Sequence, residues 1–260
     1  MNNLFVTDLQ IASWSSHFLW PMFRLAGFFA VAPIFGARTV PLRVRAAFTF
    51  IMTVMIVPVL PDMPDLESIS VLNMLMIAEQ MTIGITLGLV LQMLFQMFVL
   101  TGQTISMQAG LGFASMIDPS NGVSIAVVSQ WYLTLITLLF LAINGHLVVI
   151  EVLVDSFYMM PIGQGGIAND MWMQLANFLS WMFKASLTIS LPAIIALLLV
   201  NLTFGILTRA APQLNVFSLG FPVTMVCGIA IIWLTFNNVV PLIDRFTADV
   251  INFMHLLLEK

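Results

Sequence analysis

Between Glu79 and Asp118 the chain carries no charged side chain, and none again between Arg209 and Asp244. Runs this long and apolar are too hydrophobic to stay in water. In hydrocarbon they must pair every backbone N–H and C=O internally, which a helix does and an open sheet does not. The whole chain follows the same bias. Its 260 residues are 60% hydrophobic and 8% charged, against roughly 25% charged in soluble domains. Too few polar side chains are present to coat a globule. The sequence therefore predicts an all-α integral membrane protein with about six long hydrophobic helices, each near the roughly 20 residues a span requires. They fall at 12–33, 45–61, 73–100, 125–150, 173–204 and 214–240. No internal repeat, low-complexity tract or separate soluble domain interrupts them.

Prolines punctuate several of these segments: Pro21 and Pro33 the first, Pro192 the fifth, Pro222 the sixth. The fifth is long for a simple crossing, so a tilt or kink is expected there. The connections differ in charge. The first holds Arg38, Arg43 and Arg45, and the fifth holds Arg209; the second holds Asp62, Asp65 and Glu67, and the fourth Glu151, Asp155 and Asp170. The excess of arginine places the first, third and fifth connections in the cytoplasm and both termini outside, with Arg245 and Lys260 in the tail pulling weakly the other way. No Lys or Arg precedes the first apolar segment, and Pro33 follows the only Ala-x-Ala sequence, at Ala30–Ala32. That segment is expected to stay in the mature protein rather than be cleaved as a signal.

Composition also removes whole classes of function. A net charge of −4 from scattered groups offers no basic patch for nucleic acid. The single cysteine, Cys227, permits neither an internal disulfide nor a CxxC site. There is no HExxH, GxSxG or Walker loop, and His17, His146 and His255 are scattered, so no catalytic residue, metal site or cofactor is expected. The 19 methionines form no compact cluster at an open mouth; they read as adaptable packing, or as a deformable seal around a passage.

Charged and amide side chains inside the apolar segments are the better lead. Arg24, Glu79 and Lys184 sit where burying a charge is costly, so each should face protein or water. They could pair helices structurally or relay ions. Along the third segment Gly88, Gln92, Gln96 and Gln103 follow one helical face. That face could hydrogen-bond a neighbouring helix, with Gly84 and Gly88 permitting close approach, or line a hydrated channel.

The connection GQTISMQAGLGFASMIDPSNG, residues 102–122, has the wrong composition for an ordinary membrane loop. It contains four glycines, Pro119 and one charge, Asp118, with no Lys or Arg. A flexible, apolar, nearly uncharged link suggests backbone buried in protein or lining a passage. Further on, LTRAAPQLNVFSLGFP, residues 207–222, forms a polar tip between two apolar helices, in which Pro212, Asn215, Gly220 and Pro222 break the helix while Arg209 and Gln213 offer donors.

These two blocks, together with RLAGFFAVAPIFGARTVPLRVR from Arg24 to Arg45, resemble the FliR family of flagellar biosynthesis proteins, the counterpart of SctT proteins in virulence type III secretion. Nearly all of the chain is covered by the likeness, with Gly102, Gln103, Asp118 and Pro119 marking one block and Arg209, Pro212, Gln213 and Asn215 the other. The resemblance implies a non-enzymatic subunit of the flagellar type III export gate in the bacterial inner membrane, at the flagellar basal body. Residues 1–150 would be FliP-like and 151–260 a FliQ-like hairpin with a C-terminal tail. The expected partners are FliP-like, FliQ-like and FlhB-like subunits in a helical hetero-oligomer raised out of the membrane plane, an FlhA-like ring nearby, exported flagellar proteins and membrane lipid. The family's inward loop maps onto 102–122, where Gly110 and Gly112 give mobility and Phe113 and Met116 give apolar bulk to a plug. The tip at 209–215 matches a cytoplasmic hairpin near the entrance. A secondary transporter of small solutes, with Glu79 and Lys184 in coupling roles, is the alternative; such proteins commonly show inverted repeats, and the proline positions here show none.

Overall fold

The computed structural model describes residues 8–36, 40–64, 70–111, 126–163, 169–211 and 220–259. Among the described residues there is no strand, and the helices are α1 (Asp8–Val31), α2 (Leu42–Ile56), α3 (Val71–Gln108), α4 (Val127–Ala142), α5 (Gly145–Met159), α6 (Asn169–Ala210) and α7 (Phe221–Leu258). The all-α membrane class is thus observed. Three stretches are individually long and apolar enough to cross a bilayer, Leu42–Val59, Val71–Gln108 and Asp170–Ala210, and two bent helix pairs would raise the number to five. The first helix is not among them. Its described residues include His17, Trp20, Pro21 and Arg24, and its inner face is buried against its own chain instead.

Local chemistry explains where the helices stop. α1 ends at Val31, just short of Pro33, whose ring disfavours helix in the residue before it. Pro41 precedes α2 with φ −58°, a proline conformation that leads into the first turn. A single 3-10 turn, Val57–Val59, closes α2 around Pro58. Pro192 lies inside α6, which stays continuous from Asn169 to Ala210.

Two boundaries differ from the sequence reading. The fourth segment is not one helix: Asn144 adopts φ 59°, ending α4 and letting Gly145 start α5. Asn tolerates the left-handed region better than other residues bearing a Cβ, so the break needs no proline. The other difference is at 102–108, which continues α3 as regular helix because Ile105 and Ala109 find buried positions there. Helix therefore runs seven residues, 102–108, into the block that composition marks as a connection.

Several hydroxyl side chains inside the apolar helices are satisfied locally. Thr53, Thr86, Thr101 and Thr188 each donate to the carbonyl four residues earlier, at 2.7–2.9 Å, as do Thr82 and Thr137. This back-bonding lets them sit in hydrocarbon without an unpaired donor.

The chain divides into two compact units interleaved along the sequence: Met1–Met93, Asn144–Asn177 and Ala248–Lys260 in the first, Leu94–Ile143 and Phe178–Thr247 in the second. The first unit is built where α1 crosses α3 at backbone contact. A Cβ on Gly84 would strike the Arg24 carbonyl and come within 2.9 Å of Phe28 N, and one on Gly88 would meet Phe28 O at 2.9 Å. Around that crossing Leu25, Phe28, Ile83, Leu87 and Val90 are essentially inaccessible. A side cluster of Trp20, Met63, Phe157 and Ile162 closes one flank, with the Trp20 indole donating to Pro64 O at 3.0 Å. Phe29, Phe35 and Phe48 hold α2 against α1, Phe35 and Phe48 stacking at 4.7 Å.

In the second unit α6 turns Phe178, Met182, Ala185, Ile189, Ala193 and Leu197 inward. Their spacings of three and four residues define one helical face. α3 supplies Leu94, Phe95, Phe98 and Ile105, and α4 supplies Tyr132, Ile136 and Phe140; Phe95 meets Phe140 edge-on at 5.5 Å. Thr101 Oγ1 also reaches Ser186 Oγ at 3.3 Å, joining α3 to α6.

Candidate functional site

The block that begins at Gly102 is fastened at its base, within the second unit. Gly102 lets α3 approach α4 closely: a Cβ there would lie 2.6 Å from Ser129 Cα and 3.0 Å from the Tyr132 ring. One residue on, Gln103 Oε1 accepts from the backbone N–H of Ala126 and from Ser129 Oγ, both at 3.3 Å. A single amide thus ties the departing chain to the point where the chain returns. At the end of α3, Asn201 Nδ2 donates to Gln108 O at 3.2 Å, satisfying a carbonyl that the helix terminus leaves open. Gly110 then turns the chain at φ 79°, with the Phe221 ring 3.1 Å from where its Cβ would be. A side chain at that position would be strained and crowded, so glycine is required by both φ and space. Gly112, Phe113, Met116, Asp118 and Pro119 lie outside the described residues.

Of the hairpin tip, Arg209 is described. It is exposed in the last turn of α6, where a cation complements the helix carboxyl end. Pro212, Gln213 and Asn215 lie outside the described residues.

Arg24 forms a second constellation, in the first unit. The side chain is fully buried on α1. Its Nε donates to Gln80 Oε1 at 2.8 Å, and Nη2 donates to the same oxygen. Nη1 donates to Ser156 O at 2.6 Å and to Ser156 Oγ at 3.0 Å, while Nη2 also reaches Met160 O at 2.9 Å. The guanidinium carbon stands 4.1 Å from the Phe157 ring centroid, close enough for a cation–π contact. Every partner is neutral. The charge is accommodated by an amide oxygen, a hydroxyl, two carbonyls at the carboxyl end of α5 and an aromatic face, all oriented negative end inward. Only a planar fork of donors can satisfy partners spread over two other helices in this way.

Glu79 is half-buried on α3 beside Gln80. Gln92 is half-buried, Gln96 exposed and Lys184 exposed. Among the described residues no three of His, Cys, Asp and Glu cluster closely enough to hold a metal ion.

Sequence reasoning missed Gln80, Ser156, Phe157 and Asn201. Gln80 had a detectable signal, because stepping back by fours from Gln92 through Gly88 and Gly84 lands on it. Ser156 and Met160 act through backbone carbonyls, which no side-chain pattern announces.

The fold and its buried polar joints define an integral membrane protein of helices packed at backbone contact. Residues 15–250 match the family model described as bacterial export proteins, family 1. The chain is 34% identical over 245 residues to the flagellar biosynthetic protein FliR of Pectobacterium carotovorum subsp. carotovorum, covering 94% of each chain. It is 34% identical over 249 residues to that of Escherichia coli (strain K12), covering 96% of this chain and 95% of the relative. Over 209 residues it is 31% identical to that of Bacillus subtilis (strain 168), covering 79% and 80%. The chain belongs to the bacterial export proteins, family 1, the FliR family.

Proposed function

We propose that the chain is a non-enzymatic subunit of the flagellar type III protein export gate in the bacterial inner membrane. In this reading it helps enclose the passage for unfolded flagellar proteins, and the segment after Gly110 contributes the plug that closes it at rest. The observation that carries the reading is the fastening by Gln103, which pins both ends of a nearly uncharged segment to one point on α3 and α4. A short anchored base with a glycine-rich, apolar remainder suits a seal that must flex without drifting. Phe113 and Met116 supply its bulk. Residues 1–150 play the FliP-like part and 151–260 the FliQ-like part, with the tip at Arg209, Pro212, Gln213 and Asn215 near an FlhB-like subunit at the entrance and an FlhA-like ring beyond.

The small-solute transporter alternative, with Glu79 and Lys184 coupled, would call for an inverted repeat, and the proline positions show no such correspondence. Co-purification separates the two readings. A tagged chain extracted from its own membranes in mild detergent is expected to emerge in a hetero-oligomer with FliP-like and FliQ-like subunits, and to lose stability when they are absent. A stable monomer or homodimer from a strain expressing all subunits contradicts the gate reading.

A further inference from the structure

The outward face of α6 in the second unit runs as an unbroken seam. Ser180, Phe183, Lys184, Leu187, Thr188 and Leu191 are all exposed, and the seam continues through Ile195, Leu198, Leu202 and Ile206. The steps are three and four residues, the spacing by which one helix packs against another. Within its most apolar 18-residue stretch α6 is only 17% buried. An apolar seam alone fits lipid as well as protein. Lys184 breaks that equivalence, since it is the sole charge on the seam and its side chain has no ion-pair or hydrogen-bond partner among the described residues. Its neighbours one turn away on the same line are Ser180 and Thr188, small residues that let a second helix approach closely. Thr188 Oγ1 is already committed to the Lys184 carbonyl at 2.8 Å, leaving the ammonium as the seam's unanswered group.

We infer that this seam receives an apolar helix from another subunit of the export assembly, and that an Asp or Glu on that helix pairs with Lys184 and fixes its register. The inference rests on the gate reading above and adds to it one contact and its chemistry. An unpaired ammonium among Phe183, Leu187 and Leu191 is costly in hydrocarbon, and a facing carboxylate removes the cost while permitting a single alignment. A second copy of this chain in parallel register would set Lys184 against Lys184, which disfavours self-association through the seam.

Charge reversal in the assembled complex tests it. With all subunits co-expressed, Lys184→Glu is expected to cut the co-purified partner about tenfold, a loss appropriate to a mispaired buried charge, while Lys184→Arg retains it. A photo-crosslinker in place of Leu187 should trap one partner helix, and reversing the Asp or Glu nearest the crosslink to Lys should restore assembly with Lys184→Glu. With all subunits co-expressed, the membrane-inserted amount and protease resistance of Lys184→Glu in its own membranes should match wild type, separating lost docking from misfolding. Full assembly of Lys184→Glu overturns the inference. So does loss of co-purified anionic phospholipid with subunits unchanged, which assigns the lysine to a lipid phosphate, or a crosslink to a second copy of this chain. If the wild-type chain itself purifies without other subunits, the gate reading has failed rather than this contact.

Discussion

Arg24→Ala is expected to lower the stability of the folded chain by about 3–5 kcal/mol, the range for removing one side of a buried charged network. The substitution deletes a fully buried side chain that joins α1 to Gln80 on α3 and to Ser156 and Met160 at the end of α5. Three losses add. The cavity left behind removes packing against Phe157, the Gln80 amide oxygen loses its guanidinium donors, and the carboxyl end of α5 loses the cation that satisfies it. Arg24→Lys keeps the charge but not the fork. A single ammonium cannot reach both the Gln80 oxygen and the two carbonyls, so it should recover roughly half of the loss. Unfolding of this chain within the purified complex in mild detergent, by a graded denaturant, reads both. Wild-type stability for Arg24→Ala would show that the guanidinium network contributes nothing, contrary to its geometry.

The second large effect is at the α1–α3 crossing. Gly84→Ala should destabilise by about 3 kcal/mol, the upper part of the range for overpacking. The new methyl group meets backbone, with the Arg24 carbonyl carbon 3.0 Å and Phe28 N 2.9 Å away, so no rotamer change relieves it and the two helices must separate. Gly205→Ala on α6 is the matched control. Nothing lies within 4 Å of its Cβ, and the residue is exposed within a helix. That change should stabilise by about 0.5–1 kcal/mol through helix propensity alone. Because the obstacle to the added methyl group is the carbonyl of Arg24 itself, the two sites share structure. The double variant Arg24→Ala with Gly84→Ala should therefore fall short of the sum of its parts. Equal and small effects at Gly84 and Gly205 would mean that the close crossing is not maintained.

The fold was legible where it depends on solvent. The charge-free stretches after Glu79 and Arg209 became α3 and α7, because hydrocarbon forces helix on any long apolar run. Gly84 and Gly88 were readable as a close-approach face, since spacing by four puts both on one side of a helix. Breaks without proline were harder. Asn144-Gly145 carries a turn signal, yet it lies inside a hydrophobic run whose period gives no hint of interruption. The end of α3 was hidden for the opposite reason: Gly102 suggested a loop, but there it serves helix packing against Ser129, and the turn waits for Gly110. Arg24 stood out as a charge in an apolar segment. Its partners did not, because they lie 56 to 136 residues away and two of them are main-chain oxygens. Long-range polar joints of this kind depend on how helices cross, which local pattern does not encode.

A passage closed by the segment that Gln103 holds at its base should conduct ions once that segment is shortened. Ion conductance of the assembled complex in a planar bilayer is the most direct test, comparing wild type with a deletion of about ten residues between Gly112 and Asn121, a length on the scale of a compact surface loop. The deletion leaves Gly102, Gln103 and Gly110 in place. The wild-type complex is expected to stay closed and the deletion to leak persistently, with the subunit composition unchanged. Equal, low conductance from both complexes, at equal assembly, would contradict the plug.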